Sequence, residues 1–166
     1  MNYDSFGALA AEFGKMAKRA PAASGFAVKH GAESLARAAK SKLGTYQQGW
    51  PQLKESTQRE RTRLGFTAND PLFRSGQLQA AIQATSEGDT AFVGVTEGRT
   101  TLHDRDRDVD AALVMAVQEV GNERVPARPV FGTVVADDLE RISDAVAIET
   151  LARIGLISEE GAPPER

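Results

Sequence analysis

The chain reads as an α+β protein, an antiparallel β-sheet packed with α-helices. Three observations carry that reading. Phe6, Leu9, Phe13 and Met16 recur at 3,4,3 spacing, one stripe of a helix. Val135, Leu139, Ile142, Val146 and Thr150 recur at 4,3,4,4 spacing towards the other end. Between them Thr90-Ala91-Phe92-Val93-Gly94-Val95-Thr96 is rich in β-formers and follows the turn Glu87-Gly88-Asp89.

In chain order, the first stripe predicts a helix over 4–19, closed by Pro21. A second, alanine-rich helix runs over 24–43 with Ser24 as N-cap and Gly44 as stop. Its apolar stripe (Val28, Leu35, Ala39, Leu43) is thin, so both helices bury little area per residue. Both can extend from the body. Residues 45–51 form a loop anchored by Trp50, the only tryptophan. A short charged helix covers 53–64, and Asn69-Asp70-Pro71 is turn chemistry.

Leu78, Ala80 and Ile82 alternate, which predicts an extended run leading into the hairpin. Gly94 within a strand implies a bulge or a close backbone approach. Residues 97–108 are polar and charged and read as a mobile loop. Val109, Ala112, Leu113, Ala116, Val117 and Val120 mark a helix ended by Gly121-Asn122. Residues 125–132 are extended, because Pro129 biases Arg128 away from α. The last helix covers 134–155, with Thr133 as N-cap and Asp137 and Asp138 in its first turn. Trp50, Leu78, Phe92 and Phe131 are the expected core.

With 166 residues the chain supports one domain, placed over 1–157 with a helical N-terminal region over 1–45. Residues 158–166 read as a disordered tail. There are no cysteines, so disulfides, thiol nucleophiles and thiolate metal sites are excluded. The start Met1-Asn2-Tyr3-Asp4-Ser5 has no positive region and no long apolar stretch follows, so no secretory signal and no membrane contact are expected. Net charge is −3 and uneven. Residues 1–50 set Lys15, Lys18, Arg19, Lys29, Arg37, Lys40 and Lys42 against Asp4, Glu12 and Glu33, whereas 137–166 carry −5. A basic front and acidic back suit pairing within the fold or between copies.

No segment carries a catalytic signature. Gly-x-Gly-x-x-Gly, a lysine-containing phosphate loop and a serine nucleophile elbow are all absent, and the expectation is no enzyme and no cofactor. His30 has only Glu33 as an acidic neighbour at helical spacing. The run His103-Asp104-Arg105-Asp106-Arg107-Asp108-Val109-Asp110 invites a Ca²⁺ reading. Counted from Asp104, however, loop positions 6 and 12 hold Val109 and Met115, not Gly and Glu, so no metal is expected. Lys54, Arg59, Arg61 and Arg63 can contact phosphates or form a salt-bridged face with Glu55 and Glu60. Arg128, between two prolines, is rigidly held and suits a bidentate bond to a carboxylate or carbonyl. That bond can pin the segment to its own fold or place the side chain at a subunit contact.

Four segments combine. They are Gly49-Trp50-Pro51-Gln52-Leu53-Lys54-Glu55-Ser56-Thr57, Leu72-Phe73-Arg74-Ser75-Gly76-Gln77-Leu78-Gln79-Ala80-Ala81-Ile82, Gln118-Glu119-Val120-Gly121, and Pro126-Ala127-Arg128-Pro129 followed by Val130-Phe131-Gly132. In this order, with Val93-Gly94 between the second and third, the chain resembles the phage virion morphogenesis family of Mu-like phages, related to tail-completion proteins of long-tailed phages. The likeness covers about residues 25–155. Gln48 stands where that family often has Asp, and Val117 where it often has His.

The resemblance implies a structural virion protein at the head–tail junction, or neck, made in the host bacterial cytoplasm. It implies a tail-completion-like ring subunit, often one of six, that completes or caps the tail for joining to the head. Its neighbours would be the tail tube or tail terminator and the head connector, and DNA would be met only in passage through the lumen. Trp50, Leu53, Gly76, Leu78, Gly121, Pro126, Pro129 and Phe131 carry the motifs. Arg128, Gln118, Arg105, Asp106, Arg107 and Asp108 are the interface candidates. The alternatives are a tail-terminator or head-closure ring component, and a nucleic-acid-binding regulator using the basic half, residues 1–63.

Overall fold

The computed structural model describes residues 5–104 and 107–157, with side chains for all of these but 103, 104 and 107. Among them are five helices and four strands: α1 (Phe6–Lys42), α2 (Glu55–Arg63), α3 (Gln77–Ala81), β1 (Gln83–Glu87), β2 (Thr90–Gly94), β3 (Thr101–Asp104), β4 (Arg107–Asp110), α4 (Ala111–Val120) and α5 (Phe131–Ile154). The class is α+β. The strands form two separate antiparallel hairpins, β1–β2 and β3–β4, and not one sheet.

The largest correction is at Pro21. The two helices expected over 4–19 and 24–43 are one helix of 37 residues, with Pro21 exposed inside it. A mid-helix proline removes one backbone donor and costs about 3 kcal/mol. Packing on both sides of it offsets that cost. Met16, Ala23, Ala27 and Gly31 are buried along the face that meets α5. The two helices run antiparallel: Lys42 Nζ reaches Asp137 at 2.7 Å, His30 meets Glu149 at 3.2 Å, and Gly155 sits beside Arg19. Gly31 permits a close approach, since a Cβ there would lie 2.5 Å from Val146 Cγ2. Beyond Gly155 the same α1 face continues with Phe13 and Phe6, 56% and 85% exposed.

A second face of α1 carries Ala36, Ala39 and Leu43 into the core with Trp50, Leu78, Ala81, Ile82, Ala111, Met115, Val130 and Val134. The β1–β2 hairpin also packs on α1. Its register is Glu87↔Thr90, so its loop is Gly88-Asp89, and Gly88 takes φ +59 as a tight hairpin turn requires. Parity along β2 decides which side chains enter. Val93 packs against the core, whereas Phe92, expected inside, is 52% exposed on the opposite face and lays its ring over Gly94. Trp50 and Leu78 are buried and Phe131 packs against the core, as expected.

Three further expectations change. Residues 77–81 are a helical turn (α3) entered through Gly76 at φ +80, and the extended run begins only at Gln83. The charged stretch expected as a mobile loop is the β3–β4 hairpin, held by Leu102 and Val109 paired across its strands; Leu102 packs against the core. The interface candidates Arg105 and Asp106 and the tail 158–166 lie outside the described residues. Helix α5 starts at Phe131, not 134. Thr133 is not its cap: its hydroxyl donates to the Pro129 carbonyl at 2.6 Å. The Glu119 carboxylate accepts the N–H groups of Val130, Phe131 and Gly132 instead, at 2.8, 3.2 and 2.6 Å. Asp137 and Asp138 therefore fall in the second turn. Val134 is buried in place of Val135 and Leu139, which are 54% and 42% exposed. Among the described residues no helix is long and apolar enough to cross a membrane.

Candidate functional site

The four segments singled out in the sequence meet around one pocket of about 850 Å³. Each arrives by a local rule. After α1 the chain turns at Gly44, whose N–H donates to the Pro71 carbonyl at 2.8 Å. Tyr46 then ties two walls together: its hydroxyl donates to Asn69 Oδ1 at 2.6 Å and accepts the Leu53 N–H at 3.0 Å. Trp50 plugs into the core, and Pro51, Gln52 and Leu53 are left as one wall of the pocket. Leu72, at φ +59 in a region side chains rarely adopt, begins the second wall, which continues through Ser75, Gly76 and Leu78.

The third and fourth segments are joined by a compact turn. Asn122 Oδ1 accepts the N–H groups of Arg124 and Val125 at 2.9 and 2.8 Å, and the Asn122 N–H donates to the Val125 carbonyl at 2.8 Å. Gly121 is required here twice over. Its φ is +73, and a Cβ would lie 2.7 Å from the Ala127 nitrogen. The turn brings Pro126 and Arg128 alongside Gln118, whose carbonyl accepts the Arg128 N–H at 2.6 Å.

Arg128 is 5% exposed, and its Nη2 and Nε donate to the Pro51 carbonyl at 2.9 and 3.3 Å. Of its two expected roles, the structure realises the pinning one, through a carbonyl and not a carboxylate. Arg61 does similar work, its Nη1 donating to the Asp70 and Phe73 carbonyls. Arg74 lies over the Phe66 ring, 5.0 Å from its centre. Burial first, then the neighbouring Arg74 guanidinium, lowers the Arg61 pKa, with Arg128 adding to the effect and Asp70 opposing it. Three guanidinium groups thus share a small volume.

With Lys54 and Arg124 the lining holds five cations, and none of its described residues is acidic. The rest is largely apolar, with Leu53, Phe66, Leu72, Leu102, Val109, Val114 and Val125. Gln118 Oε1 and Trp50 Nε1 are buried without a hydrogen-bond partner among the described residues. This chemistry suits an extended ligand that is part apolar and part anionic.

The structure brings Leu53, Gly76, Leu78, Gln118, Pro126 and Arg128 together. It leaves Asp108 exposed outside the lining, and Arg59 and Arg63 outside it too. Lys54 and Arg61, read from sequence as part of a solvated helix face, turn into the pocket. Tyr46 and Glu119 escaped the sequence reading, since their partners lie 7 to 23 and 11 to 13 residues away. His30 likewise takes Glu149, not Glu33. Among the described residues no three His, Asp or Glu side chains cluster as a metal site. No protein-family model, no curated protein and no solved structure matches this chain.

Proposed function

We propose that this protein is a structural subunit of a phage virion at the head–tail junction, where copies form a ring, six being favoured, that completes the tail so that it can join the head. One observation carries the reading. The four segments behind the likeness to the virion morphogenesis family are scattered between residues 49 and 132, yet they build the walls of one pocket. Trp50, Leu78, Ile82 and Val130 of these segments enter the core, and Leu53, Arg74, Gln118 and Arg128 of the same segments are left to line the pocket. The pocket offers cations and apolar side chains for recognition of another chain. A ring subunit needs complementary faces on one body and no active site. In this reading the tail tube or terminator and the head connector are the neighbours, and DNA passes through the lumen.

Extract complementation tests the reading. Purified protein added to a lysate of the parent phage lacking this gene is expected to raise the yield of infectious particles by orders of magnitude. Folded protein that adds nothing to the yield contradicts the proposal.

A further inference from the structure

Two apolar surfaces of this chain are left uncovered by its own described residues. The first is the start of α1. The seam of Phe6, Leu9, Phe13 and Met16 runs in register into Ala23 and Ala27, which lie on the face that α5 covers. Helix α5 stops short of the start of that seam, with Gly155 beside Arg19. Residues 6–15 therefore project as an arm, with Phe6 and Phe13 exposed on it. Gly14 lies inside the arm, and a Cβ there would meet open space among the described residues. A helical glycine costs about 1 kcal/mol against alanine, and the fold of the single chain gains nothing in return.

The second surface lies at the start of α5. Phe92, Ala112, Met115, Ala116, Glu119 and Phe131 line a depression of about 280 Å³ between β2, α4 and α5. It has room for a phenyl ring. The apolar surface continues from it along both helices. Val135 and Leu139 follow Phe131 by one and two turns of α5, and Leu113 and Val120 flank Ala116 on α4. Phe92, Leu113, Val120 and Val135 are each more than half exposed. A continuous apolar patch of this kind marks a contact surface.

We propose that the α1 arm of one copy docks on the α4–α5 patch of a second copy. Phe6, Leu9 and Phe13 are its anchors, and one phenyl ring enters the depression between Phe92 and Phe131. The arm cannot serve its own patch. From Val135 to Gly155 helix α5 advances about 30 Å, and the arm extends about 20 Å further in the same direction. Charge selects among the surfaces that a second copy offers. The arm carries Lys15, Lys18 and Arg19 against Glu12. Two arms laid together set these cations against each other, and the larger pocket is lined by Lys54 and Arg124. Among the described residues lining the depression, Glu119 is the charged one. The contact joins two different faces, so repetition closes a ring or propagates a chain. It rests on the assembly reading for its biological sense and names the faces that meet.

Two full-length variants test it in sedimentation velocity. F6S with F13S spoils the arm, and L113E with V135E spoils the patch. All four side chains are exposed, so both variants should keep the fold, which circular dichroism verifies. The unsubstituted chain is expected to self-associate, and each variant to lose about tenfold or more in association constant. Mixed in equal amounts, the two variants are expected to form a dimer and stop there, because one supplies the intact arm and the other the intact patch. An unsubstituted chain that stays monomeric at millimolar concentration overturns the proposal, as does a mixture that stays monomeric. A patch variant that associates as well as the unsubstituted chain overturns it in favour of arm-to-arm pairing. Association indifferent to F6S with F13S, with the arm needed instead for binding phosphatidylglycerol vesicles, overturns it in favour of a membrane surface. All of these are read on the isolated protein, so they can fail while a neck phenotype stands, and the reverse.

Discussion

At the residue scale, the pocket depends on positions where an ordinary substitution is not tolerated. Gly121→Ala forces a side chain into a positive-φ site and onto the Ala127 backbone. It should cost about 2 kcal/mol or more in urea unfolding, from left-handed strain plus steric overlap. Arg128→Met removes the guanidinium that satisfies the Pro51 carbonyl, a charged hydrogen-bond pair. The expected loss is about 2–3 kcal/mol, and Arg128→Lys should recover little of it, because an ammonium cannot reproduce the planar fork. Arg61 makes no pH signature near neutrality. Its folded pKa is lowered, so folding disfavours the charged form relative to the unfolded chain, although the group stays charged at every working pH. The cost of holding it charged is present at every working pH and is relieved only in strong alkali.

At the element scale, α1 and α5 set the geometry. Pro21 is exposed and interrupts a helix that packing sustains, so Pro21→Ala should stabilise the protein by about 1–3 kcal/mol, seen as a raised Tm. Glu119 caps α5 from a neighbouring helix. Glu119→Ala should cost about 1–2 kcal/mol and loosen the start of α5 in hydrogen exchange. Phe6→Ser with Phe13→Ser should change stability by less than about 1 kcal/mol in total, since both rings are exposed.

The elements also show what was legible. Local signals decided α2, α4 and the β1–β2 hairpin: a charged run, an apolar stripe closed by glycine, and a Gly-Asp turn between β-formers. Three features depended on contacts between distant residues. Pro21 reads as a stop, and only α5, more than a hundred residues later, supplies the packing that carries α1 through it. The β3–β4 hairpin has one apolar side chain per strand that matters, Leu102 and Val109, too few to stand out against the surrounding charges. The start of α5 moved because its cap is Glu119, whereas the local pattern pointed to Thr133. The pocket was partly legible. The motif residues were singled out, but nothing local shows that Lys54 and Arg61 turn towards Arg128.

At the scale of the whole molecule, the chain is polar in the vectorial sense. A recess lined by Lys54, Arg61, Arg74, Arg124 and Arg128 stands near the start of α5, and the exposed Leu156 and Ile157 follow its other end. The neck proposal requires that two different faces of such a body meet around a ring.

The most direct test of the neck assignment is electron microscopy of particles made when this gene is deleted from its parent phage or prophage. The account predicts DNA-filled heads separate from tails of normal length. Overlong tails would move the protein to the terminator position. Intact, infectious particles would contradict the account.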